Sequence, residues 1–142
     1  MQKYLFFLSI MFLLSCKTYY EQPKELHYSC VLEQSQFIES IQPILIDEGF
    51  NINKADMNRG FIIAEREISI NDFTAVLNIS IRYENTQKEY VLVLSSIKLP
   101  RDKNKIEYYD ESNIRKEYEP YFKKAIERMK YFCKGGYYPN RP

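Results

Sequence analysis

The sequence predicts an α+β domain, a two-layer sandwich in which two helices cover one face of an antiparallel sheet. Four segments alternate between apolar and polar residues as strands do, and two further segments show the apolar spacing of helices. Three of the strand segments are joined by short polar links, which favours an antiparallel meander. The predicted order is therefore β-α-β-β-β-α, with the apolar sides of both helices packed on the sheet.

The first strand and the first helix follow from the positions of apolar residues. Residues 25–32 alternate, so a strand is predicted there. Helical spacing begins near Ser35 and ends near Glu48, which predicts a helix with Ser35 as its N-cap and Gly49 as its stop. Pro43 lies inside this segment and lacks a backbone N–H, so a kink or a split is expected.

The middle of the chain predicts the meander. Residues 51–59 are polar and contain turn formers, so they are predicted to be a connection. Strand patterns follow, and a charged segment that is predicted to be a loop comes after them. The three strands cover residues 60–70, 73–83 and 89–98, and the loop covers residues 99–110.

The last predicted element is a helix from about Ser112 to Cys133, where apolar residues recur at helical spacing. Pro120 either kinks this helix or begins its main segment, since proline is tolerated in the first turn. Gly135-Gly136 ends it.

The amino terminus has the features of an export signal. Lys3 precedes an apolar run over residues 4–14, which is shorter than the roughly 20 residues that span a bilayer. The run ends in Leu13-Leu14-Ser15-Cys16, and this segment resembles the lipobox of bacterial lipoprotein precursors.

The resemblance implies that a type II signal peptidase cuts after Ser15 and that Cys16 carries the lipid, with palmitate as a typical acyl chain. The alternative is an ordinary cleaved signal with a chance cysteine. Lys17 replaces the aspartate that retains enterobacterial lipoproteins at the inner membrane, which favours the outer membrane. The predicted division is a signal peptide (1–15), a lipidated tether (16–24), the α+β domain (25–134) and a flexible tail (135–142).

A second resemblance concerns the domain. The predicted first helix ends in Gly49-Phe50, a polar stretch follows, and a Gly-led apolar strand begins Gly60-Phe61-Ile62-Ile63-Ala64. This arrangement is similar to small lipid-anchored bacterial domains of the TATA-binding-protein-like or helix-grip type. The resemblance implies an accessory protein of the envelope, since some such proteins serve outer-membrane assembly and many have no assigned function.

Composition argues against several function classes. With 20 Lys+Arg against 19 Asp+Glu the formal net charge is +1, so no strong field attracts nucleic acid. The single histidine leaves little for metal enzymes or Ser-His-Asp hydrolases. His27, Cys30 and Cys133 make a poor zinc set, because His27 and Cys30 fall on opposite faces of one strand. The pair Glu65 and Glu67 is more simply read as solvated charges than as catalytic carboxylates, so no catalytic residue, metal or cofactor is predicted.

Cysteine usage predicts a disulfide between Cys30 and Cys133. Lipidation consumes Cys16 and leaves an even pair in an exported protein, where disulfides persist. Both residues fall on the apolar sides of their elements, which pack together. The alternative is two free buried thiols.

Function is predicted only as a class: binding or structural contact with another envelope protein, through a second sheet face that is partly apolar. The residues of that predicted face are Phe61, Ile63, Val76, Val91, Val93 and Ile97. The alternatives are a small-ligand or glycan pocket lined by tyrosines and, with least support, an envelope hydrolase.

Tyr108-Tyr109 and Tyr137-Tyr138 fall in the predicted loop and tail, where they either form a contact surface or fold back over the helices. The basic residues of the last helix are predicted to be its solvated face, with a basic contact patch as the alternative; they are Lys123, Lys124, Arg128 and Lys130.

Overall fold

Six strands and two helices make up the domain in the computed structural model, which describes residues 21–99 and 105–135. The strands are β1 (Glu25–Ser29), β2 (Asn51–Asp56), β3 (Phe61–Ile70), β4 (Phe73–Glu84), β5 (Glu89–Leu99) and β6 (Glu107–Tyr109). The helices are α1 (Gln34–Asp47) and α2 (Glu119–Cys133). The predicted signal peptide, the predicted lipidation site Cys16 and Tyr137-Tyr138 lie outside the described residues.

The sheet is antiparallel throughout, in the order β1-β5-β4-β3-β2. Strand β6 also pairs with β5, beyond the end of β1, so β1 and β6 share one edge of the sheet while β2 forms the other. The meander β3-β4-β5 is the centre of the sheet, as the short polar links predict.

Both helices pack on one face of this sheet, which confirms the predicted α+β class. Every second residue of the central strands points into the core, for example Leu77 and Ile79 on β4 and Leu92 and Leu94 on β5. The helices contribute their own apolar sides to the same core. The largest fully buried side chains include Phe37 and Phe122, one from each helix.

Helix α1 differs from its prediction at two points. Its N-cap is Glu33 rather than Ser35, and a capping box joins Glu33 to Gln36, with the Glu33 side chain accepting from the backbone of Gln36. Pro43 lies inside one uninterrupted helix, so the predicted split does not occur.

The polar connection predicted over residues 51–59 is wrong, because β2 forms there and pairs with β3. A bulge between Ile52 and Lys54 breaks the alternation, and most side chains of this edge strand face solvent. The predicted loop over residues 99–110 likewise contains β6, which is too short to show alternation. Tyr109 fixes β6, since its ring is buried 6.1 Å from the ring of Phe122.

The last helix begins at Glu119, later than the predicted Ser112, with Pro120 in its first turn. This is the second of the two roles that the sequence allowed for Pro120. Residues 111–113 form a turn instead, in which the Asp110 carboxylate accepts hydrogen bonds from the backbone N–H groups of Ser112 and Asn113.

Candidate functional site

The face of the sheet that the helices leave open carries an apolar cluster between charged residues. Register places Ile63 of β3 beside Ser80 of β4, and Ser80 beside Val93 of β5. In the next row Phe61 lies beside Arg82. We call Phe61, Ile63 and Val93, with Val76 and Ile97 two rows away, the open-face cluster.

A shallow depression of about 190 Å³ lies within this cluster. Phe61, Ile63 and Val93 line it together with Arg82. Ile63 is 37% exposed, which is high for a large apolar residue in a central strand. The depression therefore presents apolar surface to solvent at the middle of the sheet.

One predicted member of this face does not take part. Val91 is only 2% exposed, so it supplies the floor of the depression and not its contact surface. Its register partners, Arg82 on β4 and His27 on β1, carry long side chains on the same face and reduce its exposure. The prediction that Val91 is available for contact is wrong for that reason.

Ion pairs border the cluster on the side of β1. Arg82 Nε lies 2.6 Å from a carboxylate oxygen of Glu84, and an Arg82 amino nitrogen lies 3.6 Å from Glu25. His27 Nδ1 lies 3.0 Å from Glu89 and its Nε2 lies 3.6 Å from Glu25. The hydrogen bond with Glu89 raises the pKa of His27 above its ordinary value, so this imidazole carries positive charge over a wider pH range than a free histidine.

The structure joins Cys30 to Cys133 in a disulfide, with their Cα atoms 4.5 Å apart and a sequence separation of 103. Cys30 follows β1 and Cys133 ends α2, and both residues are buried. Next to this bond, the backbone N–H of Val31 donates to the carbonyl of Cys133 at 3.0 Å. Cys30 and Cys133, which the sequence raised as zinc ligands together with His27, thus have their sulfur atoms bonded to each other.

The two glutamates that the sequence raised as possible catalytic carboxylates lie on the surface of the sheet. Glu65 and Glu67 are both on the open face of β3, opposite Asn78 and Val76. No group of three or more His, Cys, Asp or Glu side chains gathers as a metal site within residues 21–99 and 105–135.

The tyrosines divide between core and surface. Tyr109 is buried, and its hydroxyl lies 2.6 Å from the Ser96 hydroxyl and donates to Glu107 at 2.9 Å. Burial raises the pKa of Tyr109, which keeps this hydroxyl protonated. Its neighbour Tyr108 is half-buried on the open face, opposite Ser95. Tyr109 thus packs inward, whereas Tyr108 remains available on the sheet surface.

The basic residues of α2 are not one solvated face. The Arg128 guanidinium lies 2.5 Å from Glu48 and 2.9 Å from Asp47, and only 15% of its side chain is exposed. Lys124 lies 3.1 Å from the same Glu48 carboxylate. The prediction of a solvated position is wrong for Arg128, because the end of α1 packs over it and supplies two carboxylates.

Arg66 interrupts the apolar phase of β3. Its guanidinium donates to the backbone carbonyl of Glu48 at the end of α1 and lies 4.4 Å from the centre of the Tyr121 ring. Gly49 has φ +80°, and a Cβ there would lie 2.9 Å from the guanidinium of Arg66. Glycine at position 49 thus serves both the turn and the approach of Arg66 to the helix end.

The residues that sequence reasoning missed are the charged ones beside the open-face cluster, Arg82, His27 and Glu89. Strand alternation places His27 on the face of β1 opposite to that of Cys30, which is the signal that the sequence offers. Their convergence depends on pairing of β1 with β5, which local patterns do not show.

No protein-family model, no curated protein and no solved structure matches this chain. Neither helix in the described part of the chain has the length and apolar character needed to cross a bilayer.

Proposed function

We propose that this chain is a lipid-anchored protein of the bacterial cell envelope, held at the outer membrane through Cys16, whose domain binds another envelope protein without catalysis. The observation that carries the contact role is the open-face cluster. Two helices cover one face of the sheet, and the other face keeps apolar side chains at its centre.

The lipid anchor is supported by the sequence before the described residues. A short apolar run ends in the tetrapeptide Leu13-Leu14-Ser15-Cys16, and Lys17 follows it. Two or three acyl chains on one cysteine make a durable anchor, since each buried CH₂ contributes about 0.8 kcal/mol. The tether then leads directly into β1, so the domain sits close to the membrane surface.

Protein contact is supported by how polarity is distributed on the open face. Interfaces between proteins have an apolar centre and a polar rim. Phe61, Ile63 and Val93 supply such a centre, and the ion pairs of Arg82 and His27 lie beside it. The depression is small and open to solvent, which suits the side chains of a protein surface better than an enclosed small molecule.

Metabolic labelling tests the anchor. With a palmitate analogue, the wild-type chain is expected to be labelled and to sediment with membranes, because Cys16 is the acceptor. The Cys16→Ser variant is expected to lose the label and to leave the membrane fraction. Equal labelling of both chains contradicts lipidation at this residue.

Replacing apolar side chains of the open-face cluster by lysine tests the contact role. The variant Val76→Lys/Val93→Lys is expected to fold, since both side chains are part-exposed and strand substitutions of this kind change stability by about 1 kcal/mol. Crosslinking pull-down from native membranes is expected to recover a partner with the wild type and none with this variant. The control is Ile46→Lys on α1, where a 59% exposed isoleucine faces away from the sheet. Recovery that is unchanged in the Val76→Lys/Val93→Lys variant argues against the open face as the contact.

A further inference from the structure

Strand β1 and the two residues after it form one wall of a groove of about 800 Å³. Five consecutive residues line it, from His27 to Val31. The other lining residues come from the end of α2, through Lys130 and Lys134, and from the turn between β4 and β5, through Gln87 and Lys88. The groove therefore lies at the carboxyl-terminal end of β1, which is an edge strand of the sheet.

On its outer edge, the backbone of β1 has hydrogen-bonding groups that do not bond to β5. The N–H of Cys30 donates to the Lys88 carbonyl at 2.9 Å, in the same register as the ladder between β1 and β5. In an antiparallel pair the residues bonded to the partner strand alternate with those that are not. Leu26 and Tyr28 therefore bond to β5, and the N–H and C=O groups of His27 and Ser29 point outward.

No other strand within the described ranges pairs with β1 on that side. The opposite edge of the sheet is blunted, because the bulge between Ile52 and Lys54 interrupts β2. The register of β1 runs without interruption from Glu25 to Ser29. Of the two edges, that of β1 is the one able to accept an added strand.

Charge and apolar surface define what fits. Three lysines and one glutamate line the groove, which gives it a positive excess. Glu33 lies 2.5 Å from Lys88, and Glu111 lies 2.5 Å from Lys130, whereas no carboxylate within residues 21–99 and 105–135 pairs with Lys134. Val31 is 70% exposed at the end of the groove and offers an apolar contact.

We propose that this groove binds an extended, acidic segment of another polypeptide, which adds a strand antiparallel or parallel to β1. Backbone hydrogen bonds to His27 and Ser29 supply the pairing, and Lys134 selects carboxylates in the added strand. The binding is separate from the open-face cluster and does not depend on the lipid.

The test uses the full chain in detergent micelles and a displayed library of random octapeptides. Selected peptides are expected to carry an excess of Asp and Glu. For one selected peptide, Ser29→Pro is expected to weaken binding about tenfold, because the proline removes the outward N–H and leaves a peptide carbonyl unpaired. Ser29→Ala keeps that N–H and is the matched control, expected to bind as the wild type does.

A second measurement needs no change in the protein. The backbone nitrogens of the selected peptide are methylated either at its odd-numbered or at its even-numbered residues. One of these two sets is expected to abolish binding and the other to leave it intact, since an added strand bonds through every second residue. Lys134→Glu is expected to weaken binding severalfold. The proposal is overturned if no peptides are selected or if the selected peptides are basic. It is also overturned if the Ser29→Pro and Ser29→Ala variants bind with equal affinity while their melting temperatures agree. None of these results bears on lipidation or on the open-face contact.

Discussion

Replacing both Cys30 and Cys133 by alanine is expected to lower the free energy of unfolding by about 4 kcal/mol. The bond closes a loop with 103 residues of sequence separation, and a cross-link over so long a loop strongly restricts the unfolded chain. For a small domain whose total stability is about 5–15 kcal/mol, this is a large share. Equilibrium urea unfolding of the full chain in the oxidised state measures the difference.

Reductant supplies the control for this prediction. It is expected to lower the stability of the wild type to near that of the double alanine variant and to leave the variant unchanged. Mass spectrometry of the protein purified without reductant reports the bond directly. Alkylation of both thiols in that sample contradicts the disulfide.

The disulfide also joins two of the segments that line the groove beside β1. It joins the residue after β1 to the last residue of α2, and both cysteines lie in the groove wall. Loss of the bond is therefore expected to loosen the edge where the added strand would pair, before the central meander responds.

Removal of the buried carboxylate at the junction of the helices is expected to have the next largest effect. Glu48 is 6% exposed, and its carboxylate lies 2.5 Å from Arg128 and 3.1 Å from Lys124. Glu48→Ala removes one of the two carboxylates that contact the buried guanidinium and is expected to destabilise the domain by about 3 kcal/mol. Asp47→Asn is the matched control and is expected to change stability by less than about 1 kcal/mol, since Asp47 is largely exposed.

The pH dependence of this difference follows from the pKa of Glu48. Burial raises that pKa, but the hydrogen bonds from Arg128 and Lys124 outweigh burial and hold it below the ordinary value of 4.5. Because the folded pKa is the lower one, the contribution of the ion pair is present in full above about pH 5 and falls as the pH drops below 4.5. Urea unfolding of the wild type and Glu48→Ala at several pH values is expected to show curves that converge in acid. A gap that stays constant down to pH 3 contradicts the assignment.

The elements that the sequence predicted are those in which burial imposes a period. Strands β3, β4 and β5 alternate because one face of each packs on the helices, and their observed limits lie close to the predicted ones. Strand β2 was missed because an edge strand with a bulge has neither the period nor the apolar content. Strand β6 was missed because its three residues show no period and are fixed by Tyr109.

Polar residues with a structural role were harder to predict than apolar ones. Arg66 faces the core side of β3, where the sequence shows only a break in the pattern, and its partner is a backbone carbonyl at the end of α1. Arg128 was expected in solvent because its acidic partners lie about 80 residues earlier in the chain. The open-face cluster could be predicted from strand phase, whereas the burial of Val91 beneath Arg82 and His27 depends on which strands are neighbours.

Photocrosslinking from the open face in native membranes tests the proposed contact most directly. With a photoreactive amino acid in place of Ile63, we expect one discrete adduct with another envelope protein, because this exposed side chain lies at the centre of the cluster. The same amino acid in place of Ile46, on the far side of α1, is expected to give no such adduct. Adding Val93→Lys is expected to remove the Ile63 adduct. Absence of an adduct from position 63, or the same adducts from positions 63 and 46, contradicts binding through the open face.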